Sequence, residues 1–202
     1  MNKPNNYEST QAAGEFTPIE LGGHYLVIKQ VEETKSGTGK PMVKISIDTA
    51  DNDKQPHYFA DQFRSDIRPD KKWPANGVVY MLTEDYQGNC SRRFKGFTTS
   101  AEKSNPGFSV QWGDGFAGCF KNKLIGGVFR EELGVYKGKE TRQRKIAWFC
   151  ANEKVAEATI PEPVETDEYK KWKSGDTGAA APSANDDFMN IPEGFEDELP
   201  FN

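Results

Sequence analysis

Long apolar runs are missing from this chain of 202 residues. No segment approaches the roughly 20 consecutive apolar residues that a membrane helix needs. Met1-Asn2-Lys3-Pro4-Asn5-Asn6 also lacks the apolar stretch of a secretory leader. Together these absences predict a soluble protein of the cytoplasm with no membrane contact. Histidine is scarce: His24 and His57 are the only two, and neither stands near a cysteine. Packing or a surface hydrogen bond is the simpler reading of each, so no metal and no cofactor are expected. Cysteine is scarce and odd in number. Cys90, Cys119 and Cys150 lie 29 and 31 residues apart, which makes neither a disulfide framework nor a ligand pair; reduced, buried thiols are expected. Catalytic patterns are thin as well. Asp48, Asp51, Asp53, Asp61 and Asp66 cluster in sequence as the carboxylates of a two-metal nuclease do. Asp51-Asn52-Asp53 reads more simply as a turn and the others as polar strand or loop positions. Gly37-Thr38-Gly39-Lys40 lacks the spacing of a phosphate loop and the hydroxyl residue after its lysine; it reads as a hairpin turn. No enzyme is expected.

Rings are what the chain has. Hydrophobic residues make up only 35%, but aromatics are 12%, with 13 Phe, 7 Tyr and 4 Trp. Little aliphatic bulk with many rings suits a small β-barrel, or a surface that displays rings. The net charge of −5 hides a division. Residues 1–155 hold 23 Lys+Arg against 19 Asp+Glu, a balance of +4, whereas residues 156–202 hold 3 against 12, a balance of −9. A mildly basic body with a strongly acidic tail is the asymmetry of a nucleic-acid binder with an interaction tail.

Along the chain, residues 1–18 are polar and aperiodic and read as an arm. Residues 24–31 are β-branched and aromatic, as a strand should be. After the turn formers of 35–41, residues 42–48 alternate, with Val43, Ile45 and Ile47 facing in and Lys44, Ser46 and Asp48 facing out. His57-Tyr58-Phe59-Ala60-Asp61-Gln62-Phe63 reads as a third strand, and 78–82 is an apolar run that fits strand or helix. Phe94, Phe97 and Ala101 fall at i, i+3 and i+7, a helical face ended by Asn105-Pro106-Gly107. Residues 122–130 and 142–151 flank a turn at 134–138, a β-hairpin with a charged tip. Three strands, a helical segment and two further strands is the order of an OB-fold. The expected class is therefore all-β with one short helix: an OB-fold-like five-stranded barrel with a β-hairpin extension. From Ser174 onward the chain is Gly, Ala, Pro, Ser and Asp with no Lys or Arg, a disordered acidic tail. The expected organisation is an arm over 1–18, an OB-like domain over 19–155, a linker over 156–187 and an acidic tip over 188–202.

Binding single strands without sequence preference needs rings for bases to stack on and cations to track phosphates. The richest interleaving is Arg92-Arg93-Phe94-Lys95, then Trp112, then Phe120-Lys121-Asn122-Lys123. Phe129-Arg130, Tyr136-Lys137-Gly138-Lys139 and Arg142-Gln143-Arg144-Lys145 continue it. Residues 121–145 sum to +5. Trp73, in a loop before Pro74, and Tyr136, at a turn, are candidate stacking residues because loop aromatics have less core to join. Phe94, Phe97, Phe129 and Phe149 read as core, and Trp148 as a core anchor. Lys44 fits the binding surface that the second and third strands of an OB-fold form. The DNA-contacting set is thus Lys44, Trp73, Arg92, Arg93, Trp112, Lys121, Lys123, Arg130, Tyr136, Lys137, Lys139, Arg142, Arg144 and Lys145.

The end of the chain is Phe195-Glu196-Asp197-Glu198-Leu199-Pro200-Phe201-Asn202, with a second apolar island at Phe188-Met189-Asn190-Ile191. A merely solubilising tail has no use for exposed Phe; acids that steer and a Leu-Pro-Phe that fills a pocket suit a protein partner. This ending resembles the acidic tip of bacterial single-stranded-DNA-binding proteins, departing from it in that Asn202 follows the Phe. A second resemblance covers residues 20–151. Gly22-Gly23-His24-Tyr25, the Ser36-Gly37 turn, Phe94-Lys95-Gly96-Phe97, Ser104-Asn105-Pro106-Gly107 and Gly126-Gly127-Val128-Phe129-Arg130 are similar to a family of small phage proteins encoded beside recombination and replication genes. Members of that family are regarded as phage single-stranded-DNA-binding proteins. The resemblance implies a protein that coats single-stranded DNA in phage replication and recombination, in the cytoplasm of a bacterial host. Its tip, through Phe195, Glu196, Asp197, Glu198, Leu199, Pro200 and Phe201, would recruit replication or recombination proteins. The alternative is an adaptor of such a complex that does not itself bind DNA. The oligomeric state stays open, a homo-oligomer included.

Overall fold

The computed structural model describes Lys3, Tyr7 and residues 17–175. Most of the expected arm, the second half of the expected linker and the whole acidic tip lie outside the described residues.

Strand β1 (Gly22–Lys35) and strand β2 (Pro41–Thr49) form the first hairpin, closed by the turn at 36–39, where Gly39 N donates to the Ser36 carbonyl at 2.8 Å. Val43, Ile45 and Ile47 are at most 1% exposed, as their alternation requires, but Ser46 and Asp48, expected to face out, are buried as well at 7% and 1%. Helix α1 (Tyr58–Ser65) comes next, then strand β3 (Val78–Leu82) and helix α2 (Arg92–Ser104). The short helix α3 (Phe116–Cys119) leads into the long hairpin of β4 (Leu124–Tyr136) and β5 (Lys139–Cys150). The two-residue strand β6 (Val164–Glu165) and helix α4 (Asp167–Lys173) follow.

The expected strand over 57–63 is instead α1, and β3 takes the third place in the order. His57-Tyr58-Phe59 is rich in strand formers, but the free N–H groups of a helix start find acceptors at the end of β2. Asp48 Oδ1 accepts from Phe59 N at 3.0 Å and Ala60 N at 3.2 Å, and Thr49 Oγ1 accepts from Tyr58 N at 2.8 Å. Those contacts cap the helix from another element, and Phe59 is buried completely beneath it. The single expected helix becomes two of eight and 13 residues, with α3 and α4 shorter still.

The sheet path is β3-β2-β1-β4-β5, antiparallel throughout, with β6 added in parallel on β4. It is an open sheet: among the described residues no ladder joins β3 to β5, so the expected closed barrel is not formed by backbone pairing. β3 is only five residues long, and α2 packs against both β3 and β5, so side chains cover the seam between them. Phe97, fully buried on α2, meets Phe149 of β5 at 5.3 Å and Phe120 at 5.0 Å between ring centroids. The core gathers Leu26, Ile28, Ile45, Ile47, Phe59, Phe97, Phe120, Ile125 and Phe129. Phe94 and Phe149 are buried as expected, and Trp148 is half-buried.

The β4–β5 hairpin turns on Lys137 (φ 52°) and Gly138 (φ 73°), a two-residue turn whose left-handed dihedrals match strand twist. The turn is narrower than the expected 134–138, since Gly134 pairs with Thr141 inside the ladder. Nearer the core the ladder bulges: Val128 faces Trp148 and Phe129 faces Ile146, leaving Ala147 without a partner. Gly127 sits where a Cβ would lie 2.5 Å from Leu26 Cδ1 and 2.8 Å from Ile146 Cδ1, so a larger residue there would make those two side chains shift. The first half of the expected linker is docked. Glu132 and Leu133 of β4 align with Val164 and Glu165, and the buried Tyr169 of α4 donates through its hydroxyl to Glu140 Oε2 at 2.9 Å.

Candidate nucleic-acid interface

Helix α2 is the hub of the candidate surface. Ser91 caps it, its Oγ accepting from Phe94 N at 3.2 Å, and this fixes the first turn. Phe94 is thereby turned inward, where its ring lies 5.8 Å from Phe116 and 6.3 Å from Trp112. Trp112 itself is 69% exposed, yet its indole is stacked on the buried Phe116 at 5.6 Å with 18° between planes. One side of the ring is thus held by the core while the residue remains open to solvent. That is the geometry of a rigid stacking platform: the side chain is already ordered, so a base that stacks on it costs little rotamer entropy.

The candidate cations fall into three states. Arg92 and Lys121 are exposed and have no ion-pair partner among the described residues, and the same holds for Lys137 and Lys139 at the hairpin tip. Tyr136 stands beside them, 65% exposed, with Lys137 Nζ 5.2 Å from its ring centroid. Lys123 is half-buried, its Nζ 4.9 Å from the centroid of Phe108. Phe108, Val110, Gln111 and Lys123 line a shallow groove.

A second group is paired. Lys44 lies opposite Tyr80 on the outer face of the sheet and meets Glu32 at 3.2 Å. Arg142 is held by Glu140 at 2.9 Å and Glu131 at 3.4 Å, and Lys145 by Glu132 at 2.5 Å. Surface pairs of this kind contribute about 0–1 kcal/mol, so a phosphate competes with them easily, but their carboxylates cancel much of the local field. Arg144 is spent on structure: its Nη1 donates to the carbonyls of Pro18 and Ile19, and Ile19 is a core residue.

Arg93 and Arg130 make the third state. Arg93 Nη2 donates to the Ala147 carbonyl at 3.5 Å. Its guanidinium is crowded by protein although the residue keeps an exposed surface; burial pushes it below its ordinary value, and the charge of Arg130 adds to this. Burial lowers Arg130 too, with Glu132 opposing. Arg130 Nε is buried with no acceptor. Both groups stay charged, since arginine ordinarily titrates above 12.

Trp73 belongs to the packing. Its Nε1 donates to the Ile47 carbonyl at 3.0 Å and its ring lies 5.5 Å from Phe63. Tyr86 is a ring that sequence reading passed over: it is 66% exposed, with Lys40 Nζ 3.7 Å above its centroid. An aromatic among the turn formers Asp85, Gln87 and Gly88 was the available signal. Phe195, Glu196, Asp197, Glu198, Leu199, Pro200 and Phe201 lie outside the described residues. Among the described residues no group of three His, Cys, Asp or Glu is arranged to hold a metal ion, and no helix is long and apolar enough to cross a membrane. No protein-family model matches the sequence, and no curated protein is significantly similar to it.

Proposed function

We propose that this chain is a sequence-independent single-stranded-DNA-binding protein that coats strands during phage replication and recombination and recruits partners through its acidic C-terminal tip. The observation that carries the proposal is Trp112, an exposed indole backed by Phe116, beside a helix start with Arg92 and Arg93, neither with an ion-pair partner among the described residues. Such a surface reads no base edge and tolerates any base, because every base has a face to stack. The strand path supports the same reading. An OB barrel opened between its third and fifth strands has the order β3-β2-β1-β4-β5 with a helix between the third and fourth strands, and this sheet has that order. On this view α2 takes over the closure that β3 and β5 leave undone.

The test is tryptophan fluorescence titrated with oligo(dT) at low and at high salt. Saturable quenching that weakens as salt rises is expected. Replacing Trp112 by Ala should remove most of the quench and weaken binding about tenfold or more, within the roughly 1–3 kcal/mol that a stacked base is worth. Absence of both quenching and a mobility shift would overturn strand binding and leave the adaptor reading.

A further inference from the structure

Positive groups converge at the β5 bulge and outnumber Glu132, which pairs with Lys145 and also acts on Arg130. Arg93 reaches from α2 to the carbonyl of Ala147, the residue the bulge leaves unpartnered. The next ladder positions are Ile146 with Phe129, then Lys145 with Arg130, so the two arginines meet from different elements at one place. Lys145 is already engaged by Glu132. Arg130 Nε is one of only two buried side-chain polar atoms without a partner among the described residues. Arg92 and Arg93 also open α2, whose first turn holds no acidic residue, at the end where the helix dipole is already positive. Helix starts attract carboxylates; arginines there, with another guanidinium beside them, raise the energy of the free protein. An oxyanion that accepts from both forks relieves all of it at once.

We propose that Arg93 and Arg130, with Arg92 at the rim, hold one phosphodiester of the bound strand at the β5 bulge. This rests on the strand-binding reading for the carrier of the phosphate. It separates one gripped phosphate, bound by oriented donors, from those merely attracted by Lys121, Lys137 and Lys139.

The experiment combines Arg93→Gln, Arg130→Gln, the double variant and Arg130→Lys, each melted without DNA and titrated with oligo(dT) over a range of salt. Each Gln variant should melt at or above the wild-type temperature while binding about tenfold more weakly, the size of a lost charge-assisted bond. Its salt slope should fall by about 0.7, the single-strand value for one phosphate. The double variant should lose no more slope than either single one. Arg130→Lys, which keeps the charge and loses the fork, should keep the slope but not the affinity; it carries the test if a Gln variant fails to fold. Unchanged affinity in folded variants, or a doubled loss of slope in the double variant, would overturn the shared phosphate. If wild-type protein does not bind oligo(dT), strand binding falls, and the site is judged by the Arg130 Nε–H resonance during titration with inorganic phosphate. A displacement that Arg93→Gln abolishes would uphold the anion site, and no displacement would end it.

Discussion

His24, fully buried, presents Nδ1 to Asp53 Oδ1 at 2.9 Å and Nε2 to the Glu20 carbonyl at 3.0 Å. Asp53 also accepts from Tyr25 N at 2.7 Å and Gln55 N at 2.9 Å, so one carboxylate ties the loop after β2 to the start of β1. Burial alone would raise the Asp53 carboxyl; the hydrogen bond from His24 and those from the two backbone N–H groups outweigh it and hold it below its ordinary 3.8. A carboxyl depressed on folding stabilises the protein above its unfolded value, and that contribution is lost as pH falls through the lower folded value. Asp53→Asn should therefore cost about 2 kcal/mol at pH 7, the scale of a hydrogen bond to a charged group. The difference from wild type should shrink as the pH drops below about 4; urea unfolding at several pH values measures both. The sequence reads His24 as a packing residue or a surface hydrogen bond and Asp53 as part of a turn; the structure has His24 buried. Their partnership spans 29 positions, a distance that no local pattern encodes.

At the scale of elements, what could be read depended on where the deciding contacts lay. β2 announces itself because Val43, Ile45 and Ile47 alternate within one strand, and α2 because Phe94, Phe97 and Ala101 share one helical face. The β4–β5 hairpin is legible from the turn formers between Gly134 and Gly138, although the turn itself is only Lys137-Gly138. α1 is not, because its cap comes from Asp48 and Thr49, outside its own span. If that cap decides the element, Asp48→Ala should destabilise the protein by about 1–2 kcal/mol. It should also speed amide hydrogen exchange at Phe59 and Ala60 ahead of the rest of the core, while loss of exchange protection spread evenly over the sheet would argue against it. The candidate interface was legible in part for the same reason. Trp112, Arg92 and Lys121 are exposed, the two cations without an ion-pair partner among the described residues, but the hairpin cations Arg142, Arg144 and Lys145 are claimed by Glu131, Glu132, Glu140 and the carbonyls of Pro18 and Ile19. Those carboxylates sit in the same segment, and only cross-strand register decides which cation each one takes.

For the molecule as a whole, the long-range field follows from the division of charge. Residues 176–202 contain seven Asp and Glu and no Lys or Arg, attached just after α4 where it packs on β4. Opposite charges joined on one chain compete with any polyanion for the basic body. A chain ending at Gly175 should melt as the full chain does, since the whole described core precedes that point. It should bind oligo(dT) several-fold more tightly in low salt, and the advantage should vanish at 1 M salt, where the screening length is about 3 Å. Equal affinities in low salt would show that tail and groove do not compete.

The two-residue turn at Lys137-Gly138 sets a rule for how this ribbon can change over evolution or by engineering. Because it leaves no slack, inserting a single residue in one arm would exchange the two faces of everything beyond it. Growth that adds no further bulge like the one at Ala147 comes as matched pairs, two residues in each arm, each step lengthening the ribbon by about 7 Å and leaving every inner side chain on its own face.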